Sequence, residues 1–115
     1  MNPVRRGELY DVRPDPAIGK EIQKTRPCVI VSADVFNQYS GLAVVCPLTE
    51  GMHLAADLIH IAVNKGQGGT TKDSIVLCDR VKAVDQERLM SKRGTLDAGT
   101  MQKIDKALRN VLSLH

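Results

Sequence analysis

The stretch Lys24-Thr25-Arg26-Pro27-Cys28-Val29-Ile30-Val31-Ser32, KTRPCVIVS, sets an arginine and a proline directly ahead of a continuous apolar run. A short, β-branched run without polar interruption predicts a strand buried on both faces. Leu42 to Leu48, LAVVCPL, repeats that pattern. Between them ADVFNQYSG reads as turn material, so the two strands are expected to pair as antiparallel neighbours.

Working outward, Gly7 to Arg13 (GELYDVR) alternates like a half-buried strand and is stopped by Pro14-Asp15-Pro16. Pro14 to Thr25 carries two prolines, a glycine and four charges, which predicts a long loop, and long loops in small domains often carry function. Asp57 to Val63 (DLIHIAV) reads as a further strand. NKGQGGTTKD follows as a hairpin connection, and Ser74 to Asp85 is either one bent strand or two short ones. From Asp97 the period changes: Met101, Ile104, Leu108, Val111 and Leu112 recur at helical spacing behind an aspartate suited to the N-cap. Five or six short strands and one terminal helix give a mainly β, α+β chain: a small, partly open antiparallel β-barrel closed by a C-terminal helix.

Composition bounds the function. The 115 residues, 43% of them apolar, fit a single domain spanning 1–115. A net charge of +3 permits attraction to phosphate without forming a general nucleic-acid coat. Cys28, Cys46 and Cys78 lie singly in apolar strings without CxxC spacing, as reduced core thiols of a cytoplasmic protein do. The start MNPVRRGELY has no signal-like apolar run, and no later segment approaches the ~20 apolar residues of a membrane span. With Tyr10, Phe36 and Tyr39 as the only aromatics, any single-stranded nucleic acid would be held by charge and hydrogen bonds more than by stacking.

Antiparallel pairing gives facing residues position numbers of constant sum, here about 75, which sets Arg26 opposite Thr49 at one end of the sheet. Pro27 holds Arg26 extended, and Pro47 restricts the chain just before Thr49. The charged loop with Lys20, Glu21 and Lys24 empties into the same corner. Read singly, an arginine before a strand is as readily a solvated cap; the convergence is what suggests a site. His53, His60 and His115 have no ligand spacing, so no metal or other cofactor is expected, and His60 reads as a satisfied strand histidine. Lys65, Lys72, Arg80 and Lys82 read either as a basic surface or as solvated charge.

RRGELYDV at Arg5 to Val12, GKEIQKTRPCVIVS at Gly19 to Ser32, VVCPLT at Val44 to Thr49, and SIVLCDRVKAVDQERL with GTL from Ser74 to Leu96 together resemble the MazF/PemK family of toxin endoribonucleases, in family order. The resemblance implies an SH3-like β-barrel acting as a homodimer. It also implies metal-independent cutting of single-stranded RNA at short sequences, leaving a 2′,3′-cyclic phosphate and a 5′-hydroxyl, and silencing by a cognate acidic antitoxin. Contact with DNA would come only through that antitoxin. Matched to the family motifs, Arg26 would be the catalytic arginine, Thr49 its partner and Glu21 an acidic residue of the active loop. Lys20, Lys24, Arg80 and Lys82 would contact RNA. Asp11 and Arg80 depart from the family pattern, in which a second aromatic and a glutamine are usual. The competing expectation is a toxin of the same barrel type that binds a topoisomerase and cuts nothing.

Overall fold

The chain folds around one long strand. In the computed structural model, which describes residues 3–14, 25–51 and 57–114, the strands are β1 Glu8–Val12, β2 Arg26–Ile30, β3 Leu42–Glu50, β4 His60–Val63, β5 Ser74–Leu77, β6 Lys82–Asp85 and β7 Leu89–Thr95. β3 serves three partners in succession. Its first residues pair β6, with Leu42 facing Asp85 and Val45 facing Lys82; Val45, Cys46 and Pro47 face Ile30, Val29 and Cys28 of β2; Leu48, Thr49 and Glu50 face Val76, Ile75 and Ser74 of β5. The rungs to β2 end at Pro47 and those to β5 begin at Leu48. A proline cannot donate to a ladder, and β3 changes partners at this one.

The sheet therefore runs β4-β5-β3-β2-β1-β7 with β6 added on β3, every pairing antiparallel and the path left open between β4 and β7. This is the partly open barrel that the strand pattern predicts. Ser74 to Asp85 resolves into two strands because a helical turn, Cys78–Arg80, breaks it between β5 and β6. Only His60–Val63 of the expected Asp57 to Val63 strand is extended. Before it Asp57 folds back, its carboxylate accepting hydrogen bonds from the Ile59 and His60 amides at 2.8 and 2.9 Å.

β2 and β3 are buried on both faces over most of their length, as their unbroken apolarity requires, and β1 packs beside them. On one face Leu9, Val29, Cys46 and Leu48 pack with Ile61, Val63, Val76, Cys78 and Leu96 beneath the C-terminal helix α2, Ala98–Leu112. On the other, Val12, Cys28, Ile30, Ala43, Val45 and Val84 form a second cluster, with Val4, Tyr10 and Leu89 packed on it. α2 sinks Met101, Ile104 and Ala107 into the first cluster. Its start is fixed by Asp97, whose carboxylate accepts from the Thr100 amide at 2.7 Å and is held below the usual carboxylate range by that bond.

Two elements depart from expectation. ADVFNQYSG, read as turn, contains a helix, Asp34–Ser40, labelled α1 and ended by Gly41 at φ 73. Polar anchors hold it: Arg6 N donates to Asp34 Oδ1 at 2.7 Å, and the buried Asn37 bonds Ser32 and accepts at its carbonyl from Gln86 Nε2 at 2.6 Å. Val35, Phe36 and Tyr39 stay exposed, so no apolar period marked the segment as helical. β7 is not among the strands that the residue pattern predicts; only the resemblance, with its Arg-Leu ahead of a short strand, points to it. It is mostly exposed, and its pairing with β1 is interrupted by two register shifts. The backbone of the Gln67–Gly69 turn crosses it so closely that a Cβ on Gly94 would lie 2.8 Å from the Gly68 carbonyl, which leaves room only for glycine.

Candidate active site

Alternation along β2 puts Arg26, Cys28 and Ile30 on one face, and Cys28 and Ile30 belong to the second cluster. On β3 the same face carries Ala43 and Val45, hence also Pro47 and Thr49. The rungs Cys28–Pro47, Val29–Cys46 and Ile30–Val45 are those of the expected register; the ladder stops at Cys28–Pro47, two positions short of Arg26 and Thr49. Arg26 is exposed at the strand mouth while Cys28, Val29 and Ile30 are buried behind it. Thr49 is half-buried, and its backbone is held by the β3–β5 ladder opposite Ile75. A guanidinium and a hydroxyl thus share one face at one end of the sheet, each anchored by a buried run.

Further cations surround this corner. The Cys28 thiol, 2% exposed, is pushed up to about 11 by burial, against the opposing pull of Lys82, Arg26 and Arg88. Lys82 stands opposite Val45 on the same face. Arg88 reaches the corner from across β1: Val12 faces Arg26 on one side and Leu89 on the other. The nearby carboxylate, Asp11, is occupied, accepting from Arg93 Nε at 2.8 Å. The aspartate that departs from the family pattern therefore comes with its own counter-charge. Sequence reading passed over both arginines. Arg93 lies on the unexpected strand, and the only signal of Arg88 was its place before Leu89.

Other candidates lie elsewhere. Glu21, Lys20 and Lys24 fall outside the described residues, as do His53 and His115. Arg80 is exposed in the turn between β5 and β6. Next to it Asp79 approaches His60 Nε2 at 3.4 Å, while His60 Nδ1 lies 3.0 Å from Asp57, so the histidine is bracketed by carboxylates, the satisfied state expected of it. Lys72 pairs with Glu50 at 3.4 Å, and the Lys65 amide donates to Asp73, which makes that stretch part of the hairpin connection. A cavity of about 300 Å³ lies between β4 and α2, lined by Leu58, Ile61, Lys103 and Lys106 among others. Among the described residues no helix is long and apolar enough to cross a membrane.

Comparison with known proteins shows the family. The family model described as PemK-like, MazF-like toxin of type II toxin-antitoxin system matches residues 5–112. Endoribonuclease EndoA of Bacillus subtilis is 31% identical over 111 residues, covering 96% of each chain. Endoribonuclease MazF of Staphylococcus epidermidis is 32% identical over 112 residues, covering 97% of this chain and 93% of its own. Among solved structures, a mycobacterial endoribonuclease in complex with its cognate antitoxin superposes with a TM-score of 0.76 at 25% identity, over 100% of this chain and 98% of that one.

Proposed function

The chain belongs to the PemK-like, MazF-like toxins of type II toxin-antitoxin systems and is an endoribonuclease of that family, and we propose that it cuts single-stranded RNA at the corner shared by Arg26 and Thr49. The observation that supports this reading is the β2–β3 register, whose last rung, Cys28–Pro47, would set Arg26 opposite Thr49 if extended by two positions. The topoisomerase-binding alternative loses its ground beside relatives that are named endoribonucleases.

Cleavage by internal attack needs a base for the 2′-hydroxyl proton, an acid for the departing 5′-oxygen, and positive charge beside the phosphorane oxygens. Arg26 meets the last need. Its planar fork grips two phosphate oxygens at once, and its charge persists at any ordinary pH. The same permanence makes it a poor base. In this reading Arg26 stabilises the developing charge, Thr49 donates its hydroxyl to a phosphate oxygen, and Glu21 takes the proton or orients Arg26. The 2′-oxygen bonds to phosphorus as the bond to the 5′-oxygen breaks, and the departing oxygen takes a proton from the Arg26 guanidinium or from solvent. A 2′,3′-cyclic phosphate and a 5′-hydroxyl result without a metal ion.

Lys20, Lys24, Arg80 and Lys82 would carry the flanking phosphates. The protein would work in the cytoplasm as a homodimer, inhibiting translation until an acidic antitoxin, disordered before binding, covers the basic corner. DNA contact would pass through that antitoxin. The experiment is incubation of the purified protein with a long RNA in EDTA, followed by mapping of both new ends. Cuts at a recurring short sequence with cyclic-phosphate and 5′-hydroxyl ends are expected. RNA left intact, or cut only when a divalent cation is restored, would overturn the reading.

A further inference from the structure

We propose that Arg88 is a second phosphate-binding residue of the RNA site, holding the phosphate that adjoins the one at Arg26. The inference rests on the assignment of cleavage to the Arg26 corner.

Val12 is the hinge of the argument, because it faces Arg26 across one ladder and Leu89 across the other. Neighbouring strands lie about 4.8 Å apart, so the main chains of Arg26 and Leu89 are separated by roughly 10 Å. Arg88, one residue before Leu89, is locked to the end of β1. Its carbonyl accepts from the Arg13 amide at 2.8 Å, and its Nε donates to the Arg13 carbonyl at 2.9 Å. The first of these bonds would form with any residue at position 88, since it uses only the backbone. The second spends Nε and, among the described residues, leaves the two terminal amino groups of the fork without a hydrogen-bond partner. A guanidinium held this way has little rotamer freedom left to lose when it grips an anion.

Charge favours an anion there. Arg26, Lys82 and Arg88 all act on the single buried thiol of Cys28, so three cations lie within electrostatic reach of one spot. Among the described residues, neither Lys82 nor Arg88 is ion-paired with a carboxylate. Asp11, the one acid whose charge acts on that thiol, is paired with Arg93. An extended RNA strand crossing from Arg26 over the end of β1 would bring its adjoining phosphate to the free edge of Arg88, where the fork binds two oxygens.

The test uses a 2′-O-methyl copy of the RNA segment that the wild-type protein cuts, which binds without being cleaved. Its affinity is measured across salt concentrations for the wild type, Arg88→Gln and Arg88→Lys. Losing one phosphate contact on a single strand lowers the slope of log K against log salt by about 0.7. Arg88→Gln should show that drop with several-fold weaker binding at low salt, and Arg88→Lys should recover the slope. A slope unchanged in Arg88→Gln overturns the proposal while leaving the cleavage site standing. Equal damage in both variants, with a lowered melting temperature, overturns it in favour of a purely structural arginine. A wild-type protein that neither cuts nor binds RNA removes the premise and the proposal together.

Discussion

Cys28 lies directly opposite Pro47 in the β2–β3 ladder, and both residues are buried. This rung is the last before Arg26 and Thr49 leave the core. It makes the position of two surface side chains a consequence of core packing, with each residue held by an apolar run and a proline. Such support is what a catalytic pair needs if it is to meet a phosphate without rearrangement. Thr49 should then contribute one hydrogen bond to a charged group, about 1.5–3 kcal/mol. Thr49→Ala is expected to slow single-turnover cleavage by about 10- to 100-fold, whereas Thr49→Ser keeps most of the rate. Equal losses in both would show that the hydroxyl is not the working group.

The Asp11–Arg93 pair neutralises a carboxylate whose charge reaches Cys28. Arg93→Gln leaves the Asp11 carboxylate unpaired one rung from Arg26, on the other face of the sheet, where its charge weakens the attraction for phosphate. The expected result is a KM raised several-fold, restored when Asp11→Asn is added. A double variant no better than the single one would remove Asp11 from the account.

The Cys28 thiol gives stability a defined pH dependence. Its ordinary value of 9.0 is pushed up to about 11 by burial, with Lys82, Arg26 and Arg88 opposing. Between about pH 9 and 11 the unfolded chain releases this proton while the folded chain keeps it, so unfolding free energy falls as pH rises. Below that window both states hold the proton and the contribution is constant. The loss should total about 3 kcal/mol for this group and level off above about pH 11. Urea unfolding of the wild type and Cys28→Ala across pH 8 to 11 checks it. The alanine protein, though less stable, should show the smaller decline.

α2 separates residues that only look alike in sequence. Ile104 is fully buried beneath the helix, and Leu112 is 51% exposed. Ile104→Ala should cost about 2–5 kcal/mol in urea unfolding, through lost burial and the cavity left behind. Leu112→Ala should change stability by less than about 0.5 kcal/mol.

What could be read beforehand follows from where period and chemistry coincide. β2 and β3 were legible because both faces are buried, leaving apolar runs that only a short internal strand explains. Their register was legible because consecutive strands pair antiparallel, and Arg26 and Thr49 followed from it. α2 announced itself through Asp97 and its period. α1 did not, since its anchors are the polar residues Asp34 and Asn37 and its apolar side chains face solvent. β7 was hidden for a related reason: it buries little, and register shifts against β1 erase its alternation. Arg88 and Arg93 reach the corner through that strand, so the cations they add became visible only in three dimensions.

The central claim is that the Arg26 guanidinium stabilises the charge formed as the phosphodiester breaks. The direct measurement is the single-turnover cleavage rate of Arg26→Ala in EDTA, with circular dichroism and antitoxin binding measured on the same preparation. Loss of one such charge-stabilising group is expected to lower the rate by at least about 10²–10³-fold while fold and antitoxin binding persist. A folded Arg26→Ala protein that cuts RNA at a rate near that of the wild type would contradict the account.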